Sequence, residues 1–148
     1  MEDASTSVDT STKLQEVAAR ARQYPNGQIY ALAYLIDEEC LKRAFKRLKK
    51  TASIGLDDVS VEDYKVNLDA NIKDLHFRMK SMKYRHQPIR RVQIPKPGGG
   101  SRTLGISTVE DKVVQGALKE VLEVVYEPVF KDCSYGYRPG RKAHDVVK

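Results

Sequence analysis

Two cations flank a glycine-rich turn in the second half of the sequence, and their spacing could hold phosphate groups. Lys96 and Arg102 are separated by Pro97, three consecutive glycines and Ser101. An ammonium group binds phosphate as a point charge, whereas a guanidinium group can bind it through two parallel hydrogen bonds. Because glycine has no Cβ, a polyanion could also approach the backbone N–H groups of the turn. The pattern indicates a phosphate clip, and an ordinary surface hairpin with incidental charge is the alternative.

The elements that must position these two cations are predicted to be strands. Residues Arg90–Ile94 and Arg102–Ile106 alternate apolar and polar side chains, and the segment Pro95–Ser101 supplies the proline and glycine residues of a turn. The alternation predicts that both strands are half-buried, with the other face towards solvent or a ligand.

The hairpin lies in a long stretch that contains no acidic residue. No Asp or Glu occurs from Leu75 to Val109, and the whole chain of 148 residues has a formal charge of +6. Such a stripe is typical of phosphate binding, so it predicts a polyanionic partner; a solvated basic face is the alternative. The eight cations of this stretch are Arg78, Lys80, Lys83, Arg85, Arg90, Arg91, Lys96 and Arg102.

A second candidate segment, the Tyr/Arg loop, spans Ser134–Arg141 and alternates aromatic, small and cationic residues. Its Tyr137, Arg138 and Arg141 are candidates for nucleic-acid binding, because tyrosine stacks on bases and arginine contacts phosphate in two places. The alternative is a buried tyrosine pair that fixes a sharp turn.

Helices are predicted to carry these segments. The longest apolar stripe starts at Val61 and reaches Met82, within a helix that Ser60 and Asp63 would cap. The fold class expected from these patterns is α+β, mainly helical with a β-hairpin. Disorder is predicted for residues 1–12, and helices are predicted over Lys13–Gln23, Asp37–Lys50, Ser60–Arg85 and Thr108–Pro128.

Three ordered blocks of the sequence resemble group II intron-type reverse transcriptases and maturases. They are IPKPGGGSRTLGIST, VEDKVVQGALKEVLEVVYEPVF and CSYGYRPGRKAHD. The resemblance is close from Gln87 onward and looser over Lys42–Arg85. Thr103 and Ser107 stand where the family usually has proline, and Gly55–Asp58 departs from the usual Gly-Val-Asp-Gly. None of these departures removes a cation of the clip.

The resemblance implies the fingers part of a right-hand polymerase, an RNA-directed DNA polymerase that transfers nucleotides. In it, Lys96 would contact the triphosphate of an incoming dNTP, and Arg102 would hold phosphate or stack on the base. The partners would be template or intron RNA and a DNA primer. Residues 13–86 would be a helical N-terminal extension with an RNA-facing basic helix, and residues 87–148 would be the fingers. The expected Mg²⁺ ions would bind palm carboxylates.

The sequence lacks the family's Tyr-X-Asp-Asp box, and Lys148 precedes the block expected to carry the other palm Asp. The palm is therefore expected to be missing, with no catalytic or metal-binding residue in this chain and no activity of the chain alone. A stand-alone RNA-binding module without polymerase activity is the alternative. A weaker one is a protein-interaction fragment that docks through the Val113–Val125 face.

Other function classes are disfavoured by composition. The two cysteines, Cys40 and Cys133, form no Cys-x-x-Cys pair, and the three histidines share no metal-ligand spacing. No run of 18 apolar residues occurs. These features predict a cytoplasmic protein without a disulfide framework, a zinc site or a membrane span.

Overall fold

The computed structural model describes residues 4–24, 27–30 and 32–146, and the side chains of all of these except 4–11, 143 and 146. Within this part, the chain is α+β, with five α-helices and one two-stranded antiparallel sheet. This confirms a helical fold with a β-hairpin. The elements are α1 (Ala4–Gln23), α2 (Glu38–Lys46), α3 (Val61–Val66), α4 (Leu68–Lys80), β1 (Arg90–Pro95), β2 (Ser101–Ile106) and α5 (Val109–Tyr126), with 3₁₀ turns at Leu32–Leu35, Glu127–Val129 and Ala143–Val146.

The chain divides into two compact units. The central unit is Ile36–Leu118, and the terminal unit combines Met1–Leu35 with Lys119–Lys148. These limits differ from the sequence-based division between residues 86 and 87, because α2, α4 and the start of α5 belong to one unit with the hairpin. The division at 86/87 into an N-terminal extension and fingers stays a prediction.

The core of the central unit forms around α2. Asp37 caps this helix by accepting a hydrogen bond from the Cys40 N–H at 2.8 Å. The apolar face of α2 is buried together with Ile72 and Leu75 of α4, both 0% exposed. A Cβ added at Gly116 would lie 3.2 Å from the Cβ of Ala44, so α5 crosses α2 closely at that point. The buried side chains of α2 are Cys40, Leu41, Ala44 and Phe45.

The prediction of one continuous helix over Ser60–Arg85 is wrong, because the structure has two helices there. Its start is confirmed, since Ser60 and Asp63 form a capping box. The helix is interrupted at Asn67, whose φ of −118° and ψ of 38° are not helical. The side chain of Asn71 donates to the Tyr64 carbonyl at 3.0 Å and so satisfies a group that the interruption leaves unpaired.

The second part of this helix ends at Lys80, five residues before the predicted end. Met82 adopts a left-handed φ of 58°, and the N–H groups of Met82 and Lys83 donate to the carbonyls of Met79 and Arg78 at 3.2 and 2.9 Å. This is a Schellman ending with methionine where glycine is usual. Met82 is 81% exposed, so it leaves the predicted apolar stripe.

The N-terminal prediction also requires correction. Helix α1 begins at Ala4, so residues 4–12 are helical where disorder was predicted, and residues 1–3 lie outside the described part. The stretch from Ala4 to Gln23 contains no proline or glycine, so nothing in it stops a helix that continues from the more periodic residues after Lys13.

Candidate nucleic-acid interface

The hairpin is regular up to its tip. β1 and β2 pair antiparallel, with Val92 opposite Leu104 and Pro95 opposite Ser101. The Lys96 N–H donates to the Gly100 carbonyl at 3.1 Å. Gly99 and Gly100 have φ values of 90° and 79°, which side chains rarely adopt, so the glycines are needed for the turn itself.

Lys96 and Arg102 lie on either side of the Pro95–Ser101 pair, which closes this turn. Arg102 is opposite Ile94, and Lys96 lies two residues beyond Ile94, roughly 7 Å along the strand direction. Both side chains are exposed. Within the described part of the chain, neither forms an ion pair or a side-chain hydrogen bond. The hairpin tip therefore presents two cations that no carboxylate of the described residues neutralises.

The two faces of the hairpin differ. Gln93 lies on one face, where its side chain donates to Thr103 at 2.9 Å and accepts from Ser101 at 3.1 Å. On the other face, Val92 and Leu104 are 38% and 46% exposed. The prediction of a half-buried face is therefore wrong for Val92 and Leu104, because two strands without a covering layer leave both faces open to solvent.

One buried carboxylate fixes both ends of the hairpin. Asp111, 4% exposed, accepts hydrogen bonds from the Tyr84 hydroxyl, the Gln87 N–H at 3.1 Å and the Thr108 hydroxyl at 2.9 Å. Thr108 also accepts from the Asp111 N–H at 3.2 Å, so the two side chains cap the start of α5. Burial, followed by the bond to Asp111, raises the pKa of the Tyr84 hydroxyl. Asp111 thus connects the segments before β1 and after β2 to α5.

Two predicted RNA-contacting arginines have internal partners instead. Arg78 donates two hydrogen bonds to Glu110, at 3.0 and 2.8 Å, and one to Asp74 at 2.6 Å. The bond to Glu110 is the main reason that the pKa of Arg78 is raised. Arg90 pairs with Asp58. Asp74 lies four residues before Arg78, a spacing typical of ion pairs on a helix, whereas Glu110 and Asp58 are each 32 residues from their arginine partners, so sequence spacing gave no signal of those two pairings.

The other cations of the stretch have no carboxylate partner among the residues that the structure describes. Lys80, Lys83 and Arg91 are exposed and form no ion pair with any described residue. Arg85 donates only to backbone carbonyls, to that of Tyr84 at 3.0 Å and more weakly to that of Met82. Lys83 and Arg85 lie in the extended segment between α4 and β1, not on the predicted basic helix.

Arg138 of the Tyr/Arg loop, which belongs to the terminal unit, is an internal structural group. Its side chain is 7% exposed and pairs with Glu127 at 2.7 Å. It also donates to the carbonyls of Lys131 and Ser134 at 3.1 and 2.9 Å, and its guanidinium lies 5.1 Å from the centre of the Phe130 ring. Arg138 therefore holds the turn together with its charge compensated.

Arg141 follows the same pattern, and Tyr137 does not. Arg141 pairs with Asp132 at 3.0 Å, and its guanidinium lies 5.4 Å from the centre of the Tyr135 ring. Tyr137 is fully exposed at 107% and has a left-handed φ of 58°. Of the three residues predicted to bind nucleic acid in this loop, Tyr137 is the one that the described structure leaves without a contact.

Metal-ligand clusters and membrane-spanning helices were looked for in the described part of the chain. Among the described residues, no three or more His, Cys, Asp or Glu side chains lie close enough to hold a metal ion. No described helix is both long and apolar enough to cross a bilayer.

Comparison with known proteins found relatives encoded in introns. The chain is 34% identical over 143 residues to an uncharacterized 91 kDa protein in a cob intron of Schizosaccharomyces pombe, covering 92% of this chain and 17% of that protein. It is 34% identical over 119 residues to the group II intron-encoded protein LtrA of Lactococcus lactis subsp. cremoris, covering 78% of this chain and 19% of LtrA.

A shorter match is with nuclear intron maturase 2, mitochondrial, of Arabidopsis thaliana. It is 44% identical over 39 residues and covers 26% of this chain and 5% of that protein. No protein-family model matches the chain. The chain thus spans about a fifth of the length of the first relatives it matches.

Proposed function

Because this chain is a homologue of group II intron-encoded proteins, we propose that it is the fingers and N-terminal extension region of a reverse transcriptase of this kind. In this proposal, the region binds template or intron RNA, and the tip of its hairpin contacts phosphates, both those of the RNA strand and those of a dNTP. The observation that carries the proposal is the pair Lys96 and Arg102, both exposed and without an internal carboxylate partner in the described structure.

The chemistry assigned to this region is positioning and charge neutralisation. Transfer of a nucleotide to a primer 3′-hydroxyl develops negative charge on the phosphates, and cations fixed beside them lower the energy of that state. Lys96 supplies a compact ammonium group, and Arg102 supplies a planar guanidinium that can bind two phosphate oxygens. The hydrogen bonds to Asp111 fix both ends of the hairpin and so orient it. Binding the ligand therefore costs the two cations less conformational freedom.

The bond-making groups lie outside this region in the proposal. No cluster of carboxylates exists among the described residues, so no step of the transfer is assigned to a metal bound here. We expect no Mg²⁺-dependent primer extension by the 148-residue chain, and a labelled primer extended on an RNA template would contradict this division of roles.

The test of RNA binding uses charge reversal at the tip. Lys96→Glu with Arg102→Glu should lower affinity for single-stranded RNA by about a hundredfold at low salt. It should also reduce the slope of log affinity against log salt by about 1.4, since each phosphate contact on a single strand contributes about 0.7. Fluorescence anisotropy of a labelled RNA at several salt concentrations measures both quantities.

A matched control separates local contact from net charge. Lys131→Glu with Lys142→Glu changes the total charge by the same amount at two exposed positions of the terminal unit. We expect an affinity loss of about threefold or less from this control, since long-range effects between exposed charges are screened by salt. Equal losses from both double variants would mean that RNA responds to overall charge and not to the hairpin.

The alternative, a stand-alone RNA-binding module, differs in its response to nucleotides. Both functions require RNA binding, but only the polymerase fingers require the tip to recognise a triphosphate. If the tip binds a dNTP at the position where it binds RNA, the dNTP alone should protect Lys96 from amine-reactive labelling. Protection by RNA and none by dNTP favours the module.

The proposed compartment is the cytoplasm. Cys40 is buried and Cys133 is exposed, and both are free thiols. Free thiols fit a reducing compartment. The name of the Arabidopsis relative places that protein in mitochondria, so fractionation of cells that express the whole protein is the direct test.

A further inference from the structure

Helix α4 has an exposed face on the side away from the core of the central unit. Phe77 lies on this face and is 64% exposed. It is five residues from the buried Ile72, which places it roughly 140° around the helix from the core. An aromatic ring held in water on the outer side of a helix contributes little to the core of the central unit.

The neighbours of Phe77 on this face are cations. Lys73 precedes Phe77 by four residues and Lys80 follows it by three, so both side chains lie one turn away on the same side of the helix. Both lysines are exposed, and neither forms an ion pair with any described residue. Their charges are therefore available to a ligand that also contacts the ring.

The acidic residues of α4 do not compensate these lysines. Asp74 pairs with Arg78 at 2.6 Å, and Asp69 pairs with Lys42 of α2 at 3.0 Å. The bond to Asp69 is the leading reason that the pKa of Lys42 is raised. Both carboxylates of the helix are thus held by other cations, and within the described part of the chain neither forms an ion pair with Lys73 or Lys80.

We propose that the Phe77 face, defined by Lys73, Phe77 and Lys80, is a second RNA-binding site at which a nucleobase stacks on the ring and the two lysines contact the flanking phosphates. A ring between two unpaired cations combines the two features that bind single strands without sequence preference. The ligand class is single-stranded RNA, so the proposal rests on the RNA binding proposed above. It adds a contact distinct from the hairpin tip, to which Lys80 and Lys73 both contribute.

The chain offers a direct optical test, since it contains no tryptophan. Phe77→Trp places a single indole at the site while keeping an aromatic ring for stacking. Single-stranded RNA should quench its fluorescence in a saturable way, with an affinity close to that of the unaltered chain. The matched control is Tyr126→Trp, at an aromatic residue of α5 that is 53% exposed and has Glu123 and Glu127 as near neighbours in the sequence; its fluorescence should not respond.

Two further variants distinguish stacking from charge. Phe77→Ala should weaken RNA binding by about tenfold without changing its salt dependence, because it removes a stacked base and no phosphate contact. Lys73→Gln with Lys80→Gln should reduce the salt slope by about 1.4. Circular dichroism and thermal unfolding should be unchanged for Phe77→Ala, since the ring is not part of the core.

The outcomes separate this inference from the proposal on which it rests. Absence of RNA binding by the unaltered chain would overturn both. Normal RNA binding with no response of Phe77→Trp would overturn the Phe77 face alone and leave the hairpin intact. Self-association that Phe77→Ala abolishes, with RNA affinity unchanged, would identify the ring as a protein contact and also overturn the inference.

Discussion

The hairpin tip and the Tyr/Arg loop contain similar side chains, but the structure uses their charges differently. At the hairpin tip, Lys96 and Arg102 are exposed and have no carboxylate partner among the described residues. In the Tyr/Arg loop, Arg138 pairs with Glu127 and Arg141 pairs with Asp132. The two regions therefore show the same residue types in two roles, one open to a ligand and one closing a turn.

The difference follows from where the acidic residues stand. Glu127 and Asp132 lie 11 and 9 residues before their arginine partners, close enough for a turn to bring the opposite charges together. The hairpin lies within the stretch that lacks Asp and Glu, so local chain geometry supplies no partner for its tip. A basic residue is thus a better candidate for phosphate binding when the nearby chain cannot neutralise it.

The largest expected difference between the regions concerns stability. Arg138→Ala should lower the free energy of unfolding by about 2–3 kcal/mol, since it removes hydrogen bonds to one carboxylate and two carbonyls from a side chain that is 7% exposed. Lys96→Ala should change it by about 0.5 kcal/mol or less, because the exposed tip has no contacts to lose. Urea denaturation measures both, and equal losses would contradict the assignment of different roles.

A smaller difference in stability should distinguish Asp111, which fixes the ends of the hairpin, from Asp132, which pairs with Arg141 of the Tyr/Arg loop. Asp111→Asn should cost about 1–2 kcal/mol and speed amide exchange in β1 and β2, because an amide cannot accept all the bonds that buried Asp111 accepts. Asp132→Asn is the matched control, since the Asp132 side chain is fully exposed and its ion pair should contribute about 1 kcal/mol or less. Faster exchange throughout the central unit, and not mainly in the hairpin, would show that Asp111 supports the core instead of the hairpin root.

The sequence was sufficient for features set by local pattern. The alternating residues of β1 and β2, the glycines of the turn and the capping box at Ser60 were all predictable, because each depends on residues within a few positions of one another. The resemblance to intron-encoded proteins was carried by three ordered blocks, and the relatives confirm it.

The features that the sequence could not predict depend on distant contacts or on single backbone angles. The pairing of Arg78 with Glu110 joins residues 32 positions apart, so no spacing rule indicates it. The interruption at Asn67 and the ending at Met82 each depend on the conformation of one residue. A periodic apolar stripe continued through both positions, which is why it predicted one helix that was too long.

The smallest expected effect compares two residues that share an unusual backbone conformation. Met82, just before the hairpin, and Tyr137, in the Tyr/Arg loop, both have a φ of 58° and are strongly exposed. Glycine relieves the left-handed strain but increases the freedom of the unfolded chain. Met82→Gly and Tyr137→Gly should therefore each raise the free energy of unfolding by about 0.5 kcal/mol.

RNA affinity should then distinguish the two variants, although both have the same expected effect on stability. If the Tyr137 ring stacks on a base, Tyr137→Gly should weaken single-stranded RNA binding by about fivefold or more, whereas Met82→Gly should leave it unchanged. The strain at Tyr137 would in that case be retained because it presents the ring to the ligand. Unchanged affinity for both variants would remove Tyr137 from the candidate interface and leave the Tyr/Arg loop with a purely structural role, since its two arginines are already occupied by Glu127 and Asp132.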